Sequence, residues 1–139
     1  MNLNLWDYII STSHRISEEH RRTLIIDIVS YVLRTFSEKK SFDKEDLDNA
    51  VGLLRVLMHD SLANLAVWQA HLDHFDMDKD LTIILSNTAA ALTTDTKLEW
   101  ILGLSLLCKQ SLDLIATKLN KESYDDFLNF VTVTLARYE

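Results

Sequence analysis

The chain has 139 residues, 47% of them hydrophobic and 25% charged, with a formal net charge of −7, no proline and two glycines, Gly52 and Gly103. That length suits one domain, here taken as residues 1–139, and a fold of this size buries roughly two-thirds of its extended surface. The acidic balance and the absence of a dense Lys/Arg run argue against a phosphate-backbone partner, the scarcity of turn residues argues against a sheet-rich fold, and a single cysteine, Cys108, excludes an internal disulfide.

In chain order, the periodicity predicts an amphipathic helix over about 3–12. A stronger one follows over about 18–38, with Ser17 as its N-cap. In that helix Leu24, Ile25, Ile28, Val29, Val32 and Phe36 fall at helical spacing. A polar connector at 39–43 leads to a third helix ending near Met58. The fourth covers about 61–75, with Leu62, Leu65, Trp68 and Leu72 on one face. Asp76, Met77 and Asp78 break it and cap a helix that runs to about Leu92. Thr96 with Glu99 has the form of a capping box opening the most apolar helix, over about 98–119. The last helix spans about 121–138, although Val131, Thr132, Val133 and Thr134 weaken its propensity. The fold class expected is all-α, with the 98–119 helix at its centre, apolar nearly all round and wrapped by amphipathic neighbours.

The chemistry of sites is sparse. Asp76, Asp78 and Asp80 copy the start of a calcium loop, but Leu81 stands where glycine is required and Asn87 where glutamate is. His71 and His74 share a face without the His-Glu-x-x-His pattern of a zinc enzyme. Cys108 lies in an apolar helical run, where a thiolate is poorly stabilised, so it reads as a core thiol. There is no glycine-rich phosphate loop. Neither a metal, nor a cofactor, nor an enzymatic activity is expected. The first residues lack a basic segment followed by an apolar one, and no run of about 18 uncharged apolar residues occurs, so the expectation is a cytoplasmic protein with neither signal peptide nor membrane span.

Three segments resemble the Bcl-2 family of apoptosis regulators. Arg22-Thr23-Leu24-Ile25-Ile26-Asp27-Ile28-Val29-Ser30-Tyr31-Val32-Leu33 is similar to the family's first conserved helix, Arg-Glu-Leu-Val-Val-Asp-Phe-Leu-Ser-Tyr-Lys-Leu, without a gap. Glu99-Trp100 resembles the Asn-Trp-Gly-Arg that opens the family's central helix, and Asn120-Lys121-Glu122 the Asp-Lys-Glu that opens the next. Val67-Trp68-Gln69-Ala70-His71-Leu72 is a looser match to Ala-Phe-Gln-Gly-Met-Leu. Together they span about residues 20–139.

The resemblance implies a bundle with a surface groove that sequesters the BH3 helix of pro-apoptotic proteins and so inhibits cell death, in a compact, anchorless form like virus-encoded homologues. One groove wall would comprise Val56, Leu57, Leu65, Trp68, Leu72 and Phe75. The floor and far side would comprise Thr88, Leu92, Trp100, Gly103, Leu104 and Leu107. Glycine inside a helix costs about 1 kcal/mol relative to alanine, so Gly103 also predicts close approach of another backbone. The family's arginine, which pairs with an aspartate of the ligand, is replaced by Leu102, leaving Arg55 or Lys97 as its substitute. Leu53 to Asp60 resembles a BH3 motif with one extra residue before the aspartate, out of register for a pro-death helix. A homodimer across an empty groove is a further expectation, as is recruitment to mitochondria through partners. Two other readings remain open: a Bcl-2-fold inhibitor of innate signalling that uses another face, and an unrelated acidic helical regulator.

Overall fold

The computed structural model describes residues 3–59, 65–94 and 96–139. Among them every regular element is a helix: α1 (Leu3–Ser13), α2 (Glu18–Glu38), α3 (Lys44–His59), α4 (Leu65–His74), α5 (Lys79–Leu92), α6 (Lys97–Lys118) and α7 (Lys121–Tyr138). The all-α class is therefore observed, with boundaries close to those the periodicity sets. The expected start of the fourth helix, 61–64, lies outside the described residues.

Local chemistry fixes the ends. Asp78 accepts a hydrogen bond from the Asp80 amide at 2.8 Å, Thr96 from Glu99 at 3.2 Å and Asn120 from Ser123 at 2.8 Å, each satisfying a donor that its helix leaves free. Ser17 has the extended backbone of an N-cap, but its hydroxyl makes no capping bond; Glu18 and Glu19 in the first turn favour that end through the helix dipole. At the other end of α2, Lys40 takes the left-handed conformation (φ 53), and the Ser41 amide donates to the Phe36 carbonyl, closing a Schellman turn. The β-branched run in α7 stays helical because Val131, Thr134 and Leu135 are buried and Thr132 donates to the Leu128 carbonyl at 2.9 Å. Tertiary burial outweighs a slight propensity deficit.

The expected arrangement of one buried central helix needs correction. α6 packs against α1, α2, α5 and α7, but α2 packs against α3, α5, α6 and α7, and α5 against α2, α3, α4 and α6. The centre is a three-helix layer of α2, α5 and α6. Only one side of α6 faces it, through Trp100, Ile101, Leu104, Leu107, Cys108, Leu112 and Ile115. By length and composition alone, α6 is also long and apolar enough to cross a membrane, a property that the core helix of a soluble bundle shares; half of that stretch is buried inside the bundle.

Gly103 shows why α5 and α6 come so close. A Cβ at that position would lie 3.0 Å from the Ala91 Cβ and 3.1 Å from its Cα. Glycine facing alanine lets the two backbones approach, as the mid-helix glycine predicts. Two tertiary hydrogen bonds tie the edges: the Tyr138 hydroxyl donates to Asp27 at 2.6 Å, joining α7 to α2, and Arg22 donates through Nη2 to the Leu57 carbonyl, joining α2 to the end of α3. Tyr31 stacks on Phe130 with ring centroids 4.1 Å apart. Three residues carrying the family resemblance in α2, Arg22, Asp27 and Tyr31, thus work as fasteners between helices.

Candidate functional site

Of the twelve residues expected to line a groove, eleven have described side chains, and most of these are buried. Leu57, Trp68, Leu72, Thr88, Trp100, Leu104 and Leu107 are all buried. Leu72, Trp100, Leu104 and Leu107 belong to the main core, while Leu57, Trp68 and Ala89 make a small separate cluster with Leu92 packed on it. This satellite closes α3 and α4 over α5, and the Ser86 hydroxyl bonds the Gln69 side chain at 2.8 Å beside it. Phe75 and Leu92 are half-buried, and Val56 is exposed on the outer side of α3. Gly103 faces Ala91 inside the bundle. The side chain of Leu65, which opens α4, lies outside the described set. The buried members of this set describe an interior, because enclosure by neighbouring helices removes their apolar area from water. Arg55 and Lys97 are exposed and form no ion pair among the described residues.

The open apolar surface is one face further round α6. Leu98, Leu102 and Leu106 are 65%, 60% and 44% exposed, and Ile10 of α1 is 45% exposed. Trp6, Ile10, Leu102, Ser105, Leu106 and Lys109 line a shallow trough between α1 and α6, nearly all of its surface carbon. On the opposite flank Ile83 of α5, Gln110 and Asp113 border a second hollow, and the Lys109–Asp113 ion pair (3.5 Å) stands between the two. Leu98 and Leu106 are eight residues apart, so the leucine strip is about 12 Å long. Sequence reading missed it because a helix apolar nearly all round is expected to be covered on every side. The signal was present: leucines at 98, 102 and 106 repeat every four residues alongside the inward set at 100, 104 and 107.

The remaining candidate chemistry resolves into structure. Asp78 is a cap, and its amide donates to Asp46 at 3.1 Å, so the acidic run is a helix start tied to α3. His71 packs on Trp68 and His74 on Phe75, with ring centroids 5.6 Å and 5.4 Å apart. Among the described residues no three His, Cys, Asp or Glu side chains gather as a metal site. Cys108 is buried, and desolvation pushes its thiol up to about 12, which keeps it protonated and unreactive at neutral pH.

A third cleft, of about 200 Å³, opens at the junction of α2, α5 and α6, bordered by Glu18, Arg21, Arg22, Leu92, Thr94 and Trp100. The Arg21 guanidinium carbon lies 5.5 Å from the centre of the Trp100 ring. Both the Arg21 Nε and the Trp100 Nε1 are enclosed without a hydrogen-bond partner. An enclosed, unsatisfied donor costs about 1–3 kcal/mol, so two in one place are unusual.

No protein-family model, no curated protein and no solved structure matches the chain.

Proposed function

We propose that this chain is an interaction protein of Bcl-2-like arrangement that holds the apolar side of a partner's amphipathic helix along the outer face of α6. The observation that carries the reading is the exposure of Leu98, Leu102 and Leu106 in one unbroken strip beside Ile10. Contiguous exposed apolar surface is unfavourable in water and marks sites that a partner covers. An amphipathic helix presents anchors at i, i+3 or i+4, and i+7, spread over about 10 Å, which matches the strip's length.

The family resemblance supplies the class of partner. Leu102 stands where the family's opening motif of the central helix has the arginine that meets a ligand aspartate, so this face corresponds to the family's ligand side. With leucine there, recognition of a BH3-type helix rests on apolar burial in place of an ion pair. Sequestering such helices from pro-apoptotic proteins inhibits cell death without chemistry. A second reading, supported by the detached Leu57–Trp68–Ala89 cluster, is that α4 lifts from α5 and the ligand enters there.

The test is calorimetric titration of a panel of BH3 peptides into the purified protein at low and high salt, repeated with Leu102→Glu. Binding that survives salt and is lost in the folded Leu102→Glu variant is expected. The acidic-regulator reading instead predicts affinity for basic partners that falls steeply with salt. If no peptide binds the folded protein, the BH3 assignment fails; self-association through the strip, or capture of a partner outside cell death, then becomes the account of the exposed leucines.

A further inference from the structure

We infer that the cleft between α2, α5 and α6 is a carboxylate-binding site, with Arg21 as the charged donor and the Trp100 indole as its backing. The inference is independent of the leucine strip, because Trp100 is on the buried side of α6 and Leu102 on the exposed side.

Arg21 is half-buried, and its guanidinium carbon lies over the Trp100 ring at 5.5 Å from the centroid, within cation–π range. No carboxylate among the described residues pairs with it, although Glu18 borders the same cleft one helical turn away. Its neighbour Arg22 spends one donor on the Leu57 carbonyl and brings a second positive charge to the cleft wall. The Arg21 Nε and the Trp100 Nε1, both enclosed, are donors without acceptors. The Thr94 hydroxyl, the other polar side chain of the wall, is already committed to the Ala91 carbonyl at 3.2 Å. Apart from the Glu18 carboxylate at the rim, the unspent side-chain groups of the wall are donors, and two of its three charges are positive. The ligand that completes such a set is an oxyanion that accepts two N–H groups in a plane, and a carboxylate fits the guanidinium fork. The cleft's volume suits a single carboxylate on a short stem, such as an aspartate side chain or a small free acid. Glu18 at the rim acts as a competing internal carboxylate, and its charge opposes entry of a second one.

The experiment follows the three indole N–H signals by heteronuclear NMR, with Trp100 assigned through Trp100→Phe. Sodium acetate and a capped tripeptide with one aspartate are titrated separately against sodium chloride at matched ionic strength. A saturable shift of the Trp100 signal with both carboxylate probes and none with chloride is expected. A tighter response to the tripeptide assigns the site to a protein side chain; an equal response assigns it to the carboxylate group alone, and both support the proposal. Arg21→Gln is expected to weaken binding by about tenfold or more, with helicity by circular dichroism reporting that it folds. Glu18→Gln, an exposed change, is expected to tighten it. A Trp100 signal that stays still in both the unaltered protein and Glu18→Gln, or a folded Arg21→Gln that binds equally well, overturns the assignment.

Discussion

The inner and outer faces of α6 carry the same residue type at similar spacing and live in different surroundings. Leu104 and Leu107 are wholly enclosed, whereas Leu98 and Leu102 have more than half their surface in water. Helical period alone does not distinguish them, since both sets repeat every three or four residues. The difference comes from neighbours: α2 and α5 cover one face through large aliphatic side chains, and α1 reaches only the edge of the other with Trp6 and Ile10. An apolar residue is core only if another element supplies the opposite wall.

Thiol chemistry gives the largest contrast between the faces. Cys108 on the inner side has its pKa raised from 9.0 to about 12 by burial, which lowers its thiolate fraction at neutral pH about a thousandfold. A cysteine introduced as Leu106→Cys is expected to react with a thiol reagent at the rate of a free thiol in a Cys108→Ser background, while Cys108 itself reacts only on unfolding. Similar rates at the two positions would mean that the inner face opens readily.

Packing gives the next. Leu104→Ala removes a fully buried side chain from the middle layer and is expected to cost about 3–4 kcal/mol in urea denaturation. Leu102→Ala is expected to stay within about 0.5 kcal/mol of the parent. Equal costs would erase the distinction between the core face and the exposed face.

The two glycines sharpen it further. Gly103→Ala gains helix propensity but forces a methyl against the Ala91 backbone, for an expected net loss of about 1 kcal/mol. Gly52→Ala in α3 meets nothing within 4 Å and is expected to gain about 0.5–1 kcal/mol. Both are read from thermal melts.

An effect of the same order as that of Gly103→Ala is expected at the edge of the bundle. Tyr138→Phe removes the hydroxyl bonded to Asp27 and is expected to cost about 1 kcal/mol. That hydrogen bond is the first cause of the raised Tyr138 pKa, ahead of burial and the Asp27 charge. A group whose folded pKa is raised stabilises the fold fully below its unfolded value and loses that contribution as pH rises through the folded one. The difference between Tyr138→Phe and the parent should therefore persist at neutral pH and shrink above the ordinary tyrosine range, as pH-dependent melts would record.

Much of the secondary structure was legible because the signals are local. Asp78, Thr96 and Asn120 announce helix starts by side chain, and Gly103 announces a close approach by lacking one. The site was less legible because it depends on which elements meet. Trp100, Leu104 and Leu107 are apolar residues on a helix in a resembling family, and those facts hold equally for a groove floor and for a core. In the sequence Arg15, Arg21 and Arg22, interrupted by Glu18 and Glu19, read as a solvated face; the contact of Arg21 with Trp100 joins residues 79 positions apart, which no local pattern encodes. Leu102 was noted as a missing arginine, although its own exposure is the more telling property.

The central claim, that a partner helix lies on the outer face of α6, is tested most directly by mapping backbone and methyl NMR shifts on titration with the tightest BH3 peptide of the panel. Changes concentrated at Ile10, Leu98, Leu102 and Leu106, with Leu57, Trp68 and Ala89 unmoved, are the predicted result. Changes concentrated at Leu57, Trp68 and Ala89, with the leucine strip silent, would contradict it and assign the ligand to the space beneath α4.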